Sequence, residues 1–569
     1  MALGIDQKNM TINKILDKYF NEVSLRLAWE RVVRWTDRTT KDHFGIKMFG
    51  HNLTENLSNL SKQVISGSYK PTRPQKFYMP KSSKMQRTKS MLIIEDALVY
   101  QAIADTIAAE NFDKFAENND FVFGSVLSDE VGQGINILNA EGDKNLFFFK
   151  HYINLYKKFA DSVNKAILED KVTHKFETDI TGFFDSIPHF SLLSVLSEKF
   201  NVEEDILDIL SECLNCWSGT REKYTFGVGI PQGAPPSFFL ANALLNDFDN
   251  IIKGDGHIYY RYMDDIRIYA FNENELTAAL VKIDAYLKGL ALSLNAKKTS
   301  IEKVINDKTD NSIILFDFGY DDDDLLENPD FEAKDEFSSF AEQDGYEKNI
   351  SEFKTIKDED EIKEFWQNMH QISMLDLLNL FELTKNKPTL KNEKIEDRII
   401  LEIAYQYRSA IKGLKKSDKD FKPDETMIPF WLYLLEKFPW RADHFCWIFN
   451  EFKDNEFLKE QLFKMIDLFQ SYEWIRHHIY LTIAMSQTIT KREWQELFRK
   501  LKSQNDFYAR LALYKLLLFH GLDNQQLAQV TKEITKENNG YMKKELLFYA
   551  KIKQAKKFTI QELIKSFGL

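Results

Sequence analysis

Cysteine is scarce in this chain. Three in 569 residues, Cys213, Cys216 and Cys446, cannot build a disulfide framework. Cys213 and Cys216 form a lone Cys-x-x-Cys with no second pair, so they read as packing residues rather than a metal or redox site. Long apolar runs are also missing: none approaches 18 residues, and the N-terminus does not resemble a signal peptide. A soluble, cytoplasmic protein without membrane association is expected. Positive charge is in deficit, with 75 Lys and Arg against 87 Asp and Glu and a net charge of −12. That sign excludes a protein that coats nucleic acid by bulk electrostatics.

The charge is segregated. Residues 70–89 hold Lys70, Arg73, Lys76, Lys81, Lys84, Arg87 and Lys89 and no acidic residue, whereas residues 317–337 hold ten acidic residues against Lys334 alone. At this length and 44% hydrophobic content, two or three domains with full cores are expected. Residues 1–69 read as a helical N-terminal extension, with Leu53, Leu57, Leu60 and Val64 on one helical face. Pro71, Pro74 and Pro80 make the basic stretch extended rather than helical. An apolar helix is expected around Phe147–Ile167. Residues 317–359, with Asp321 to Asp324 in a row, read as an acidic, solvated linker. Residues 360–569 read as almost entirely helical, in segments such as Phe457–Phe469 and Phe507–Phe519 joined by short breaks. The pattern suits stacked helix pairs, although no fixed-period repeat is present.

The chemistry concentrates in four blocks. Tyr262-Met263-Asp264-Asp265 joins two runs rich in β-branched and aromatic residues, which read as strands. Two carboxylates at such a junction repel by several kcal/mol unless something neutralises them. Mg²⁺ does so and prefers carboxylate oxygens. Upstream lies Asp179-Ile180-Thr181-Gly182-Phe183-Phe184-Asp185-Ser186-Ile187, behind another strand-like run. Between them stands Pro231-Gln232-Gly233, and downstream Leu294-Asn295-Ala296-Lys297-Lys298-Thr299. Carboxylates on separate strands that converge on one point are what two-metal nucleotidyl transfer requires, since it proceeds by positioning and charge neutralisation.

In this order and spacing the four blocks resemble the palm of reverse transcriptases. The resemblance implies an α+β reverse-transcriptase fingers and palm over residues 70–316, followed by an all-α HEAT-like helical-repeat domain over 360–569. It implies an RNA-directed DNA polymerase that uses two Mg²⁺ ions, with Mn²⁺ as a substitute. Asp179, Asp264 and Asp265 would be catalytic, with the Ile180 carbonyl as a further metal ligand. Phe184 would exclude a 2′-hydroxyl, Gln232 would touch the incoming dNTP, and Lys81, Arg87 and Lys298 would meet its triphosphate. One departure stands out. Ile313–Tyr320 occupies the place of a primer-grip hairpin, but acidic residues follow it where the family has a basic thumb.

A palm joined to a helical C-terminus further resembles bacterial abortive-infection and defence-associated reverse transcriptases. That implies anti-phage defence, assembly as a homo-oligomer (trimer or hexamer), and single-stranded DNA as product. The DNA is either made without a template and left attached to the protein, or copied from a dedicated non-coding RNA. Two other readings stand beside this one. The first is a retron-like or intron-like enzyme, which should carry an RNA-binding or maturase domain after the palm. The second is a scaffold or RNA-binding protein with a relic palm, which the intact aspartates oppose.

Overall fold

The computed structural model describes residues 13–36, 45–304 and 422–554, with short interruptions, and isolated positions between 400 and 415. The acidic segment, the Ile313–Tyr320 hairpin and residues 360–399 lie outside the described residues. The chain divides into two compact units. Of the described residues, one unit holds those up to Lys76 and from Lys89 to 304, and the other holds segment 77–88 and those from 400 onward.

The first unit is built on a four-stranded antiparallel sheet. After a separate two-stranded sheet of β1 (Gln75–Pro80) and β2 (Gln86–Met91), its strands are β3 (His174–Asp179), β4 (Ile258–Tyr262), β5 (Asp265–Ala270) and β6 (Ser300–Lys303), in the order β4-β5-β3-β6. Side chains alternate across a strand, so facing pairs share a side of the sheet. Phe176 opposite Ile268 and Thr178 opposite Ile266 form the buried side. Glu177 opposite Arg267 and Asp179 opposite Asp265 form the other.

Helices Pro235–Gly254 and Glu273–Gly289 pack with the sheet. Pro235 and Pro236 start the first of these, where the missing N–H groups have no intrahelical partner to lose. Asn272 caps the second by accepting from the Glu275 N–H at 3.0 Å. Helix Ile94–Glu110 is buried on nearly all sides and carries Asp96, Gln101 and Asp105 inward among its apolar residues. It packs on the N-terminal helix Glu22–Thr36.

The helix expected from Phe147 begins at Tyr152. The preceding residues run extended instead, because the Ser128 and Lys150 N–H groups donate to the Phe148 and Val126 carbonyls at 3.0 and 2.8 Å. Cys213 and Cys216 both lie on helix Glu204–Trp217. Burial lifts the Cys216 thiol to about 11 and Cys213 well above its ordinary value, so neither is a ready thiolate.

In the second unit, eight helices between Ile428 and Gln554 are described, most of 10–15 residues and joined by short turns. Glu473–Ser486 packs chiefly on Phe507–Phe519 and on Ala442–Phe449. Thr490 and Glu493 form a reciprocal cap on helix Lys491–Ser503. Segment 77–88 groups with these helices. The reason is an aromatic stack. Phe77 lies on Tyr508 with ring centroids 4.4 Å apart, and Tyr508 on His477 at 3.5 Å. The Tyr78 N–H donates to Glu473 Oε1 at 2.9 Å.

Candidate active site

The paired strands β3 and β5 bring the first two sequence blocks together. Asp179, the last residue of β3, stands directly opposite Asp265, the first residue of β5. Facing residues of an antiparallel pair have Cα atoms about 4.5–5.5 Å apart. Asp264 sits in the two-residue turn between β4 and β5, closed by the facing pair Tyr262 and Asp265. The three aspartates therefore gather at one end of the sheet, with Asp179 and Asp265 on the same side.

The last block is fastened to the same point. The Asn295 N–H donates to the Asp179 carbonyl at 2.9 Å, and the Thr299 hydroxyl lies 2.7 Å from that of Thr178. The Thr181 N–H donates to the Ser293 carbonyl at 2.9 Å, and Ile180, buried, forms a bridge with Leu294. These contacts bring Lys298 to the carboxylate: its Nζ lies 2.7 Å from Asp179 Oδ2. Arg267 is nearly buried and spans Asp265 Oδ2 and Glu177 Oε1, each at 3.3 Å, while Lys175 Nζ lies 3.7 Å from Glu177 Oε1. Internal cations thus offset much of the carboxylate repulsion. As the side chains stand, the described residues include no group of three or more His, Cys, Asp or Glu able to enclose a metal ion. Lys298 and Arg267 hold the oxygens that would turn toward one.

One oxygen is not accounted for in this way. Asp179 Oδ1 is buried and has no hydrogen-bond partner. A buried carboxylate oxygen is costly to leave unpaired, and a hard divalent cation is the ligand such an oxygen suits. The donor set therefore fits a divalent cation at Asp179, with Asp264, Asp265 and the Ile180 carbonyl close in the chain fold.

The remaining candidate residues are placed as follows. Phe184 is buried and packs edge-on against Phe238, ring centroids 5.1 Å apart. The Ile230 N–H donates to its carbonyl at 2.8 Å, which ties Phe184 to the Pro231-Gln232-Gly233 turn. The Gln232 carbonyl accepts from the Ser90 N–H at 3.0 Å, and the Gly233 carbonyl from Trp35 Nε1 at 2.9 Å. A Cβ on Gly233, whose φ is +111°, would stand 3.7 Å from the side chain of Lys89. Lys81 and Arg87 belong to segment 77–88 of the second unit; there the Lys81 N–H donates to the Met85 carbonyl at 2.8 Å, and Arg87 is buried.

Two side chains that surround the aspartates escaped the sequence reading: Glu177 and Arg267. Their signal was period-two alternation, which puts charged residues of β3 and β5 on the side bearing the aspartates.

Residues 137–324 match the family model of the reverse transcriptase (RNA-dependent DNA polymerase). The chain carries a reverse transcriptase domain, and its sheet, its Asp179–Asp265 pairing and its Tyr262–Asp265 turn all lie in or at that match. Over 78 residues the chain is 37% identical to an uncharacterized 91 kDa protein in a cob intron of Schizosaccharomyces pombe. That stretch is 14% of this chain and 10% of the intron protein, so the chain covers only a tenth of this relative's length. Among solved structures it is similar to the apo telomerase of Candida tropicalis, with TM-score 0.30 and 11% identity, over 73% of this chain and 66% of that one. It is also similar to the Candida albicans telomerase in complex with a fragment of telomeric RNA, with TM-score 0.31 and 9% identity, over 81% and 65% of the two chains.

Proposed function

We propose that this protein is a DNA polymerase of the reverse-transcriptase type that joins dNTPs to a 3′-hydroxyl or a protein hydroxyl. The observation that carries the proposal is Asp179 facing Asp265 beside the Asp264 turn, with Asp179 Oδ1 buried and unpartnered. Asp179 and Asp264 would hold two Mg²⁺ ions, with Asp265 and the Ile180 carbonyl beside them and Mn²⁺ as a substitute. Bound there, the ions supply charge neutralisation at the α-phosphate and at the attacking and leaving oxygens. The protein's part is positioning. Lys298 leaves Asp179 for the triphosphate. Gln232 orients the nucleotide from a turn held by Ser90 and Trp35, and Phe184, braced by Phe238, excludes a 2′-hydroxyl.

Two modes of synthesis fall within this reading, one copying RNA and one running without a template from a hydroxyl on the protein. The family match, to an RNA-dependent DNA polymerase, favours the copying of RNA. We place the enzyme in the cytoplasm, in anti-phage defence, as a homo-oligomer, with the C-terminal helices forming HEAT-like repeats. Support for the last point is the run of helices with short turns in which Glu473–Ser486 packs on helices two places before and after it. The test is incubation with labelled dNTP and Mg²⁺, with and without added RNA, followed by denaturing gels before and after protease. The wild-type chain should give labelled DNA and Asp264→Asn less than about 1% of it, with its melting temperature retained. Equal incorporation by Asp264→Asn would remove the metal-site assignment. Phage plating on cells making either chain tests the defence role, which fails if both give equal plaque counts.

A further inference from the structure

The turn that carries Asp264 is strained. A two-residue hairpin loop with positive φ at its first central position has the form of a type II′ turn, where glycine is favoured. Here that position is Met263, with φ +51°. Something outside the turn must hold a methionine in this conformation.

The structure shows what lies behind it. Arg261 is on the buried side of β4, opposite Ile266, and only 1% exposed. Its Nη1 donates to the Met263 carbonyl at 2.7 Å and to Asn242 Oδ1 at 2.9 Å. Its Nε and Nη2 form a two-point fork on Asp249, at 2.7 and 2.6 Å. Asp249 is equally buried and also accepts from the Tyr259 hydroxyl at 2.6 Å. Asn242 in turn donates to the Gly124 and Ser125 carbonyls at 2.9 and 3.2 Å. Segment 121–123 runs beside β4: the Arg261 N–H donates to Phe121, and the Phe123 N–H to Arg261, each at 2.8 Å. This seats Gly124 against the turn so closely that a Cβ there would stand 2.4 Å from the Met263 nitrogen and 3.0 Å from the Tyr262 carbonyl carbon.

We propose that Arg261, locked by Asp249 and Asn242, is a positioning residue that fixes the Asp264-bearing turn from the core side, with Gly124 as the seat against which the turn rests. The arrangement suits that task better than general core packing. A guanidinium fork holds one orientation where a lysine would not. All but one of its donations go to partners that are themselves fixed, and the exception goes to the strained turn. Asp264 then reaches the site without a search over turn conformations, and its approach to a divalent cation is set before the cation arrives.

This inference rests on the polymerase reading, and its test separates the two. The full-length wild-type chain is compared with Gly124→Ala, Arg261→Lys and Asn242→Ala. Measured are kcat and dNTP KM at saturating Mg²⁺, the Mg²⁺ concentration for half-maximal rate, thermal melting, and Tb³⁺ luminescence excited through the tyrosines. Gly124→Ala acts on the turn backbone by contact alone, while Asn242→Ala leaves the Arg261–Asp249 fork and the Arg261–Met263 bond in place, so one variant reads out even where another does not fold. Below their melting temperatures, the variants should lose at least about tenfold in kcat and need several-fold more Mg²⁺, with KM within about threefold of wild type. Tb³⁺ affinity should fall in parallel. Variants that melt lower yet keep wild-type kcat, Mg²⁺ dependence and Tb³⁺ affinity while folded would overturn the proposal, since the network would then be structural alone. A wild-type chain that incorporates nothing would instead remove the polymerase reading. The Tb³⁺ titration would still decide whether the clamp positions Asp264.

Discussion

Replacement of Lys298 by Met should tighten cation binding while slowing synthesis. Lys298 Nζ lies 2.7 Å from Asp179 Oδ2, with the lysine side chain 52% exposed and the aspartate 18%. At an effective dielectric of about 20, such a pair attracts by about 5–6 kcal/mol before desolvation. Exposure of the lysine and the entropy of its long side chain reduce the net value to about 1 kcal/mol. An incoming cation must displace this internal one from the same carboxylate. Removing the lysine therefore spares that displacement and should lower the apparent dissociation constant about fivefold. Stability should fall by no more than about 1 kcal/mol, or a few degrees in Tm for a unit of this size. The assay is a Tb³⁺ or Mn²⁺ titration at two ionic strengths, with Lys297→Met, exposed and adjacent, as control. The tightening should shrink at higher salt, because salt screens the pair being removed. Unchanged or weaker cation binding in Lys298→Met would refute the idea that the lysine stands where a cation's charge belongs. dNTP incorporation should decline in the same variant, because the second position proposed for the lysine is at the triphosphate.

Phe184→Ala should admit ribonucleotides, raising CTP incorporation relative to dCTP at least tenfold; unchanged discrimination in a gel assay would end the 2′-hydroxyl role. Asp96 offers a pH test remote from the site. Burial raises its carboxyl to about 7, although Tyr69, Thr72 and Trp217 all donate to it. A carboxyl raised in the folded state stabilises fully below its unfolded pKa near 4, and that contribution is lost as pH rises through about 7. Asp96→Asn keeps an acceptor and carries no charge, so it should raise Tm relative to wild type most at pH 8, less at pH 5, and little below pH 4. A Tm difference independent of pH would show that the buried carboxyl does not titrate in this range.

The site's residue types could be read directly from the chain. Asp179, Asp264 and Asp265 in strand-like surroundings, followed by Asn295 and Lys298, imply converging carboxylates because those patterns are local: period two for strands, turn residues between them. The C-terminal helices were legible for the same reason, since apolar residues recur every three or four positions from Ile428 to Gln554. Register was not legible. That Asp179 faces Asp265, and that Lys298 reaches Asp179, depends on how β3, β5 and the 292–299 turn pair across more than 80 residues of chain. The grouping of segment 77–88 with the C-terminal helices was equally out of reach, since it rests on Phe77 stacking with Tyr508 more than 400 residues away.

What the sequence determined by itself was the chemistry available: which strands carry acid, which turn carries glycine, which helices bury an apolar face. What only the tertiary structure decided was which buried polar groups answer one another. Arg261, Asp249, Asn242 and Gly124 lie in three separate segments, and each alone reads as an ordinary core or loop residue. A charge in an apolar interior is tolerable only where its partner is brought to it, and pairwise geometry of that kind is set by packing rather than by neighbours in the chain.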